Sequence, residues 1–186
     1  MAHGPDTVEL LSRIGAIQNG ILDTSLLNIT SLPKLPETLR WLNCENTQLS
    51  VLPTLPETLI CLSCGDTNIH VLPELPETLR ELYCENIQLS VLPELPETLI
   101  CLFCGDTQLS VLPILPETLK ILNCENTPLI LQRNDGESIA DYSKRWDDWH
   151  AEQAYIKRCN KKCRTIRDEL IDIVEFATFC GEFFLE

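Results

Sequence analysis

The pentapeptide Leu-Pro-Glu-Thr-Leu recurs every twenty residues along most of the chain. It begins at Leu35, Leu55, Leu75, Leu95 and Leu115. Self-similarity at a short fixed period is typical of solenoids, in which each repeat is one structural unit stacked on the next. A coil this short cannot bury its own leucines, so neighbouring coils must share a continuous core. The repeat therefore predicts a rod of stacked coils over this part of the chain.

The pattern within one unit predicts a strand on one side of the coil and an extended segment on the other. One unit reads LxxLxCxxTxLxxLP over residues 39–53, and around Leu42 apolar positions alternate with variable ones. Such alternation indicates a β-strand with one buried face. Except for Pro5 and Pro128, the 12 prolines lie in Leu-Pro pairs, which must be extended, polyproline-like or tight turns because proline cannot donate to a ladder. A degenerate earlier unit at residues 22–33 brings the expected coils to six, with parallel strands about 4.8 Å apart.

The unit resembles that of the leucine-rich repeat family, whose pattern is LxxLxLxxNxLxxLP. The resemblance covers residues 20 to 131 or so, and the doubled Leu-Pro-x-Leu-Pro, first at residues 32–36, is similar to the shortest class of the family. That class occurs in bacterial type III effectors and in proteins of giant viruses of amoebae, and the PETLxxLxC wording is closer to the viral set. The resemblance implies an α/β repeat fold, a solenoid with a parallel β-sheet and a short turn or polyproline convex side.

Cysteine occupies a position in each full unit where the family usually has leucine or valine. These residues are Cys44, Cys64, Cys84, Cys104 and Cys124. We interpret them as small core hydrophobes. The alternative, a thiol row that binds metal or forms disulfides, is disfavoured because five thiols cannot all pair and a parallel row does not make a tetrahedral site. No metal ion or cofactor is therefore predicted.

Two CxxC matches, Cys61 to Cys64 and Cys101 to Cys104, in isolation would indicate zinc or redox chemistry. Residues three apart on a strand point to opposite faces. We therefore expect Cys61 and Cys101 to lie outward and apart from each other.

Polar positions carry two further patterns. Threonine replaces the stacked asparagine of the family at Thr47, Thr67, Thr107 and Thr127, and Ile87 interrupts the row. We expect the threonine hydroxyls, helped by the preceding Asn or Asp, to satisfy backbone groups at the turn. With a period of forty residues, Glu-Asn alternates with Gly-Asp, and Arg40, Arg80 and Lys120 alternate with Ile60 and Ile100. We interpret this longer period as duplication of repeats in pairs.

The charge balance restricts the class of partner. The chain has 14 Lys and Arg residues against 28 Asp and Glu, a net charge of −14 at pH 7, and the acid excess is concentrated before residue 129. Such a surface repels phosphate backbones, so we expect no nucleic-acid binding by the repeat region, and a basic protein partner is favoured. Neither a transmembrane segment nor a secretory signal is expected. These features predict a cytoplasmic location, in the host cytoplasm or in the virion if the protein is viral.

Three regions are predicted: residues 1–19 as an N-terminal helical cap, 20–131 as the solenoid and 132–186 as a C-terminal helical segment. A solenoid needs caps because its end coils expose their leucines. The first cap has Val8, Leu11, Ile14 and Ile17 at helical spacing.

The tail is expected to form two helices with a break near Asn160. The first carries Tyr142, Trp146, Trp149 and Ile156, and the second carries Ile166, Leu170, Ile173, Val174 and Ala177. We expect the first helix to lay its tryptophans over the last coil; a groove-binding or oligomerising role is the alternative. His150, Cys159 and Cys163 lack an evident fourth ligand for a metal ion.

The outward strand positions form the candidate binding surface, which we call the concave face. Its members are Trp41, Asn43, Cys61, Ser63, Glu81, Tyr83, Cys101, Phe103, Ile121 and Asn123. Acidic residues border it: Glu45, Asp66, Glu85, Asp106 and Glu125. Three aromatics inside an acidic rim are typical of a protein-protein interface. The alternative is that the C-terminal segment or a second copy covers this face.

These features favour a non-catalytic protein-protein interaction module that uses the concave face. The second hypothesis is a structural or assembly component, for example of a virus particle, that acts through self-association. The third is a cysteine-based ubiquitin ligase like that of some bacterial effectors. That domain is far larger than residues 132–186, and Cys159, Cys163 and Cys180 have no evident partner base. We therefore predict no catalytic residues.

Overall fold

The computed structural model describes residues 5–15, 17, 19–132, 134, 136–158 and 161, with side chains from Glu9 onward. The chain divides into two compact units, Met1–Trp146 and Asp147–Glu186. No helix in the described ranges is long and apolar enough to cross a membrane.

Six short strands form one parallel sheet in the order of the sequence. They are β1 (Ile21–Asp23), β2 (Trp41–Asn43), β3 (Cys61–Ser63), β4 (Glu81–Tyr83), β5 (Cys101–Phe103) and β6 (Ile121–Asn123). Each residue pairs with its equivalent twenty positions later, as Leu42 does with Leu62. The central leucine of each strand is buried, and Leu42, Leu62 and Leu82 are fully so. The predicted solenoid with a parallel sheet of six strands is confirmed.

The coil interior consists mainly of leucine, with cysteine, threonine and isoleucine. Cys44, Cys64, Cys84 and Cys104 are 0% exposed, and Cys124 on the last coil is half-buried. Burial, with the Glu45 carboxylate as a smaller cause, raises the pKa of Cys44 to about 12. The prediction that these thiols point inward is confirmed, and the buried thiols of Cys44, Cys64, Cys84 and Cys104 are free.

Buried threonine hydroxyls serve the turn that follows each strand, as predicted. The hydroxyl of Thr47 donates to the carbonyl of Cys44 at 2.8 Å, and Thr67 and Thr107 repeat this bond at the same distance. Ile87 fills the equivalent position with an apolar side chain that is 4% exposed. Each of these threonines therefore bonds within its own coil, and the apolar side chain of Ile87 does not interrupt the stack.

A residue with positive φ turns each coil away from its strand. These residues are Leu26, Asn46, Asp66, Asn86, Asp106 and Asn126, with φ from 52° to 63°. Asn and Asp adopt this left-handed conformation more readily than other non-glycine residues. Their side chains also link coils, since the Asn126 amide donates to the Asp106 carboxylate at 3.0 Å and the Asn86 amide donates to Asp66. These side-chain bonds join neighbouring coils, whereas the turn itself depends on the left-handed backbone conformation of the Asn or Asp residue.

The Pro-Glu-Thr-Leu segment forms the turn that leads into each strand. The N–H of Leu59 donates to the carbonyl of Pro56 at 3.0 Å, which closes the turn. The hydroxyl of Thr58 then donates to the Leu39 carbonyl of the previous coil at 2.6 Å. Thr78, Thr98 and Thr118 make the equivalent bond. A ladder of threonines therefore ties the coils together on this side.

The N-terminal cap is α1 (Pro5–Gly15), which packs against β1. The expected apolar face was wrong at one position: Leu11 is 55% exposed, whereas Leu10 is 4% exposed. Ile14 and Ile17 are half-buried, so the contact runs through Leu10 and Ile14, which lie one helical turn apart. The side chain of Val8 lies outside the described residues.

The C-terminal part begins with a turn at Gly136, whose φ is +77°, followed by helical residues 139–158. The Ser138 hydroxyl accepts a hydrogen bond from the N–H of Asp141 at 3.1 Å, which caps the helix. Tyr142 and Trp146 are fully buried, and the Tyr142 hydroxyl donates to the carbonyl of Leu131 at 2.7 Å. These two aromatics therefore cover the end of the solenoid, which agrees with the expectation for Trp146.

Beyond Trp146, the described part of the second unit is helical. Trp149 is half-buried, but Ile156 is 41% exposed, so the expected apolar stripe does not extend to Ile156. The second expected helix at residues 166–177, and with it Cys159, Cys163 and Cys180, lies outside the described residues.

Candidate binding face of the sheet

The concave face consists of two rows of side chains, because the first and third residues of each strand point to the same side. The sheet register aligns Trp41, Cys61, Glu81, Cys101 and Ile121 in the first row. It aligns Asn43, Ser63, Tyr83, Phe103 and Asn123 in the second. Adjacent members are about 4.8 Å apart, the spacing of neighbouring strands, so the register brings all ten predicted residues onto one surface.

The rows differ along their length in how much they expose. Trp41 and Ile121, near the two ends of the first row, are 48% and 47% exposed. Tyr83 and Phe103 in the middle of the second row are half-buried because their rings stack on each other, with centroids 5.0 Å apart and an interplanar angle of 21°. The face therefore presents one separate tryptophan and one aromatic pair.

Two predicted members of this face are buried, which corrects the expectation that they are exposed. Cys61 is 3% exposed and Ser63 is 9% exposed. Cys61 lies between Trp41 and Glu81 in the register, and Ser63 lies between Asn43 and Tyr83. Because neighbours about 4.8 Å away carry larger side chains, the small ones lie below the surface between them. Both residues belong to the floor of the face and offer little area to a partner.

Tyr83 is held as a neutral hydroxyl. Its hydroxyl donates to the Glu81 carboxylate at 3.3 Å. Burial, followed by the charge of Glu81, raises the pKa of Tyr83 to about 12. The hydrogen bond holds the ring beside the Glu81 carboxylate, so an acidic group lies at one edge of the aromatic stack.

The acidic border concentrates negative charge beside the aromatics. Partial burial raises the pKa of Glu45, and the neighbouring Asp66 and Asp23 raise it further. Burial likewise raises the pKa of Glu85, followed by the charges of Glu45, Asp106 and Asp66. None of the ion pairs among the described residues involves these carboxylates. The border is therefore an uncompensated anionic rim.

Glycine separates the border glutamates along the stack. A Cβ added to Gly65 would lie 3.0 Å from the carbonyl oxygen of Glu85, and one added to Gly105 would lie 3.1 Å from the Asn123 side chain. A side chain at either position would therefore crowd the next coil. The alternation also places Glu45, Glu85 and Glu125 two coils apart. The forty-residue period therefore affects the structure, in addition to recording a duplication of repeats in pairs.

Comparison with solved structures connects this geometry to known proteins. The chain is similar to YopM from Yersinia enterocolitica WA-314, with 31% identity and a TM-score of 0.66 over 72% of this chain and 31% of that one. It is similar to a Shigella effector leucine-rich repeat domain, with 31% identity and a TM-score of 0.68 over 72% of this chain and 62% of that one. YopM from Yersinia pestis, at 24% identity and a TM-score of 0.51, covers 68% of this chain and has the same fold.

The parallel strands, the twenty-residue register and these neighbours agree. The chain has the leucine-rich repeat fold. No family model matches it, and no curated protein matches it. The chain spans less than two thirds of the length of each of the three chains described above.

The thiols of Cys61 and Cys101 on the concave face are poor nucleophiles. Burial, followed by the Glu81 carboxylate, raises the pKa of Cys61 to about 12. The same two causes raise the pKa of Cys101, which Lys120 partly offsets. Protonated thiols react slowly and bind metal ions weakly. Within the described ranges, no group of three or more His, Cys, Asp or Glu residues is placed to hold a metal ion.

The sequence predicted which residues form the concave face, but it did not predict the contacts between their side chains. The twenty-residue register places Tyr83 beside Phe103, which could have predicted the stacked pair, and places Cys61 between two larger residues. The hydrogen bond from Tyr83 to Glu81 has no signal in the period, because it depends on side-chain conformations two residues apart on one strand.

Proposed function

We propose that this protein is a non-catalytic interaction module whose concave face binds a basic segment of a protein partner. The observation that carries the proposal is the stacked pair of Tyr83 and Phe103, whose tyrosine is hydrogen-bonded to the Glu81 carboxylate. The leucine-rich repeat fold suggests a protein-binding module. The use of this particular face and the basic character of the partner are our inference.

The aromatic residues support binding of a cationic side chain. A guanidinium or ammonium group near an aromatic face is attracted by the ring quadrupole, with about 0.5–1 kcal/mol gained at exposed sites and more when the cation is desolvated. Trp41 is 48% exposed, so a partner can bury much of its area. Aromatic residues also lose little side-chain entropy on binding, which makes them effective interface anchors.

The acidic border supports a positive charge on the partner segment. Burial raises the pKa values of Glu45 and Glu85, and the charges of neighbouring carboxylates such as Asp66 raise them further. Both effects destabilise the ionised forms. A bound cation relieves this repulsion, whereas an anion increases it. Affinity for a basic segment should therefore fall as the pH is lowered through these raised pKa values, because protonation removes the attracting charge.

The similar solved structures support an interaction module as the class of protein, and the free thiols support a cytoplasmic location. Two of the similar structures are described as effectors, which is compatible with an interaction module, and their own partners are not transferred to this chain. The buried thiols of Cys44, Cys61, Cys64, Cys84 and Cys104 are free, which supports a reducing compartment such as the cytoplasm, where thiols remain reduced. A host cytoplasm or a virion interior both fit this chemistry.

Calorimetry with synthetic peptides tests the proposal. An arginine-rich peptide of about twelve residues should bind the full chain, and a glutamate-rich peptide of equal length should not. The Trp41→Ala/Phe103→Ala variant should lose at least roughly tenfold in affinity, as expected for aromatic anchors. The matched control is Val71→Ala/Val91→Ala, which removes apolar side chains that are 64% and 70% exposed outside the concave face. Equal affinity of both variants and the wild type would refute the use of this face.

A further inference from the structure

A second surface follows the turns that lead into the strands, and we call it the coil edge. It has a row of glutamates, Glu37, Glu57, Glu77, Glu97 and Glu117. It has the parallel row of ladder threonines. It has a third row, Arg40, Ile60, Arg80, Ile100 and Lys120. A groove of about 510 Å³ runs along it, lined among others by Arg40, Ile60, Arg80, Glu57 and Glu77. None of these residues belongs to the concave face.

Within the repeat region, basic residues are concentrated on the coil edge. Before residue 129 the Lys and Arg residues are Arg13, Lys34, Arg40, Arg80 and Lys120, so most of them lie in one row. Arg13 and Lys34 pair with Glu9 and Glu37. Arg40, Arg80 and Lys120 make no ion pair among the described residues, although Glu57 and Glu77 line the same groove. The edge therefore holds cations and carboxylates in adjacent rows that do not neutralise each other within the chain.

The two charged rows have matched spacing because both come from the same repeat. Strands about 4.8 Å apart place the glutamates at that interval and the basic residues at about twice that interval. A two-fold axis parallel to the rows and above the threonines would exchange the two rows between copies. Each coil of one copy then faces the equivalent coil of the other copy. Arg80 of each copy therefore meets Glu77 of the other, and Lys120 meets Glu117. Ile60 and Ile100, which are half-buried, face the stems of Glu57 and Glu97.

We propose that the coil edge is a homodimer contact in which the basic row of one copy pairs with the glutamate row of a second copy. An acidic segment or a nucleic acid would be repelled by the glutamates, and a basic segment would be repelled by Arg40 and Arg80. A second copy carries both rows at the same spacing, as a self-complementary two-fold interface requires. The contact is independent of the concave face and leaves that face open.

The dimer should be weak because the contact is small. The basic row from Arg40 to Lys120 covers four strand intervals, or about 19 Å. An interface of that length falls at the low end of the size range, where association is transient. At about 0.1 M salt the Debye length is near 10 Å, so the net charge of −14 on each copy is largely screened while charges in contact still attract.

Sedimentation equilibrium of the full chain, up to about 0.5 mM protein at that salt concentration, tests the dimer. The apparent mass of the wild type should rise above 21.1 kDa toward twice that value. The Arg80→Glu/Lys120→Glu and Glu77→Lys/Glu117→Lys variants should each associate at least roughly tenfold more weakly, because a two-fold interface contains every altered pair twice. An equimolar mixture of these two variants should regain association as a heterodimer.

The control variant separates local pairing from net charge. Glu57→Lys/Glu97→Lys changes the net charge by the same amount as Glu77→Lys/Glu117→Lys, but alters glutamates that face isoleucine. It should associate at least as well as the wild type, since it lowers the overall repulsion. Trp41→Ala/Phe103→Ala should dimerise like the wild type, which separates this proposal from that for the concave face. A monomeric wild type, equal behaviour of the two Glu→Lys variants, or a mixture that fails to associate would overturn the proposal.

Discussion

The coil interior and the concave face lie on opposite sides of the same three-residue strands, yet they follow different rules. Inside, Leu42, Leu62 and Leu82 are interchangeable from coil to coil, and each is fully buried. Outside, the equivalent positions carry a tryptophan, a cysteine and a glutamate at 41, 61 and 81. Stacking restricts the interior residues because every coil packs on the next, whereas the outer residues contact mainly their row neighbours. Specificity can therefore vary on the outside while the backbone stays constant.

The largest expected effect is on stability and tests the interior directly. Leu82→Ala removes a fully buried side chain between Leu62 and Leu102 and should lower the free energy of unfolding by about 2–5 kcal/mol. Glu81→Ala, one residue away on the outer side, should change it by less than about 0.5 kcal/mol. Urea denaturation of both variants measures the difference. Similar losses for both would show that the two sides of the strand are not separated in this way.

A smaller effect is expected at the turn that links the two sides. Asn86 has a φ of 53° and donates to the Asp66 carboxylate. Asn86→Ala should cost about 1–2 kcal/mol because a Cβ without the compensating amide is disfavoured in the left-handed region. Asn86→Gly should cost less, since glycine adopts that conformation without strain. If glycine proved the more harmful substitution in the same denaturation assay, the side-chain bond would outweigh the backbone conformation.

The smallest effect is the pH dependence of stability caused by the acidic border. The folded-state pKa values of Glu45 and Glu85 are raised above 4.5, so the folded protein retains protons that the unfolded chain has released. Their contribution makes the protein less stable as the pH rises from 4.5 through the raised values. The effect should be a few tenths of a kcal/mol because both groups are partly exposed to solvent. Glu45→Gln/Glu85→Gln should flatten the stability profile between pH 4.5 and neutrality, and an unchanged slope would remove these residues as its source.

The fold was predictable because the period restricts every coil at once. Alternation around Leu42, proline in each opposite segment and cysteine at a core position together specified the strand, its register and the inward thiols. Even Leu26, a residue that seldom adopts positive φ, takes a value of 63° because it occupies the turn position of the repeat. Regular stacking therefore overrides the local preference of a single residue.

The remaining errors come from places where the period gives no information. The helix α1 occurs once, so its rotation depends on docking against β1, and Leu10 rather than Leu11 faces inward. The exposure of Cys61 depends on the sizes of its row neighbours, which the period does not specify. The charged rows of the coil edge were visible as an alternation of Arg and Ile, but only the fold shows that Arg40 and Arg80 share a groove with glutamates.

The most direct test of the concave-face proposal is backbone amide chemical-shift mapping of the full chain during titration with an arginine-rich peptide. We expect the largest shift changes at residues 41–45, 81–85 and 101–106, which carry the aromatic residues and most of the acidic border. They should disappear when Glu45→Gln/Glu85→Gln is combined with Phe103→Ala. Shift changes confined to the coil edge or to residues 139–158, or no binding of the peptide at all, would contradict the account.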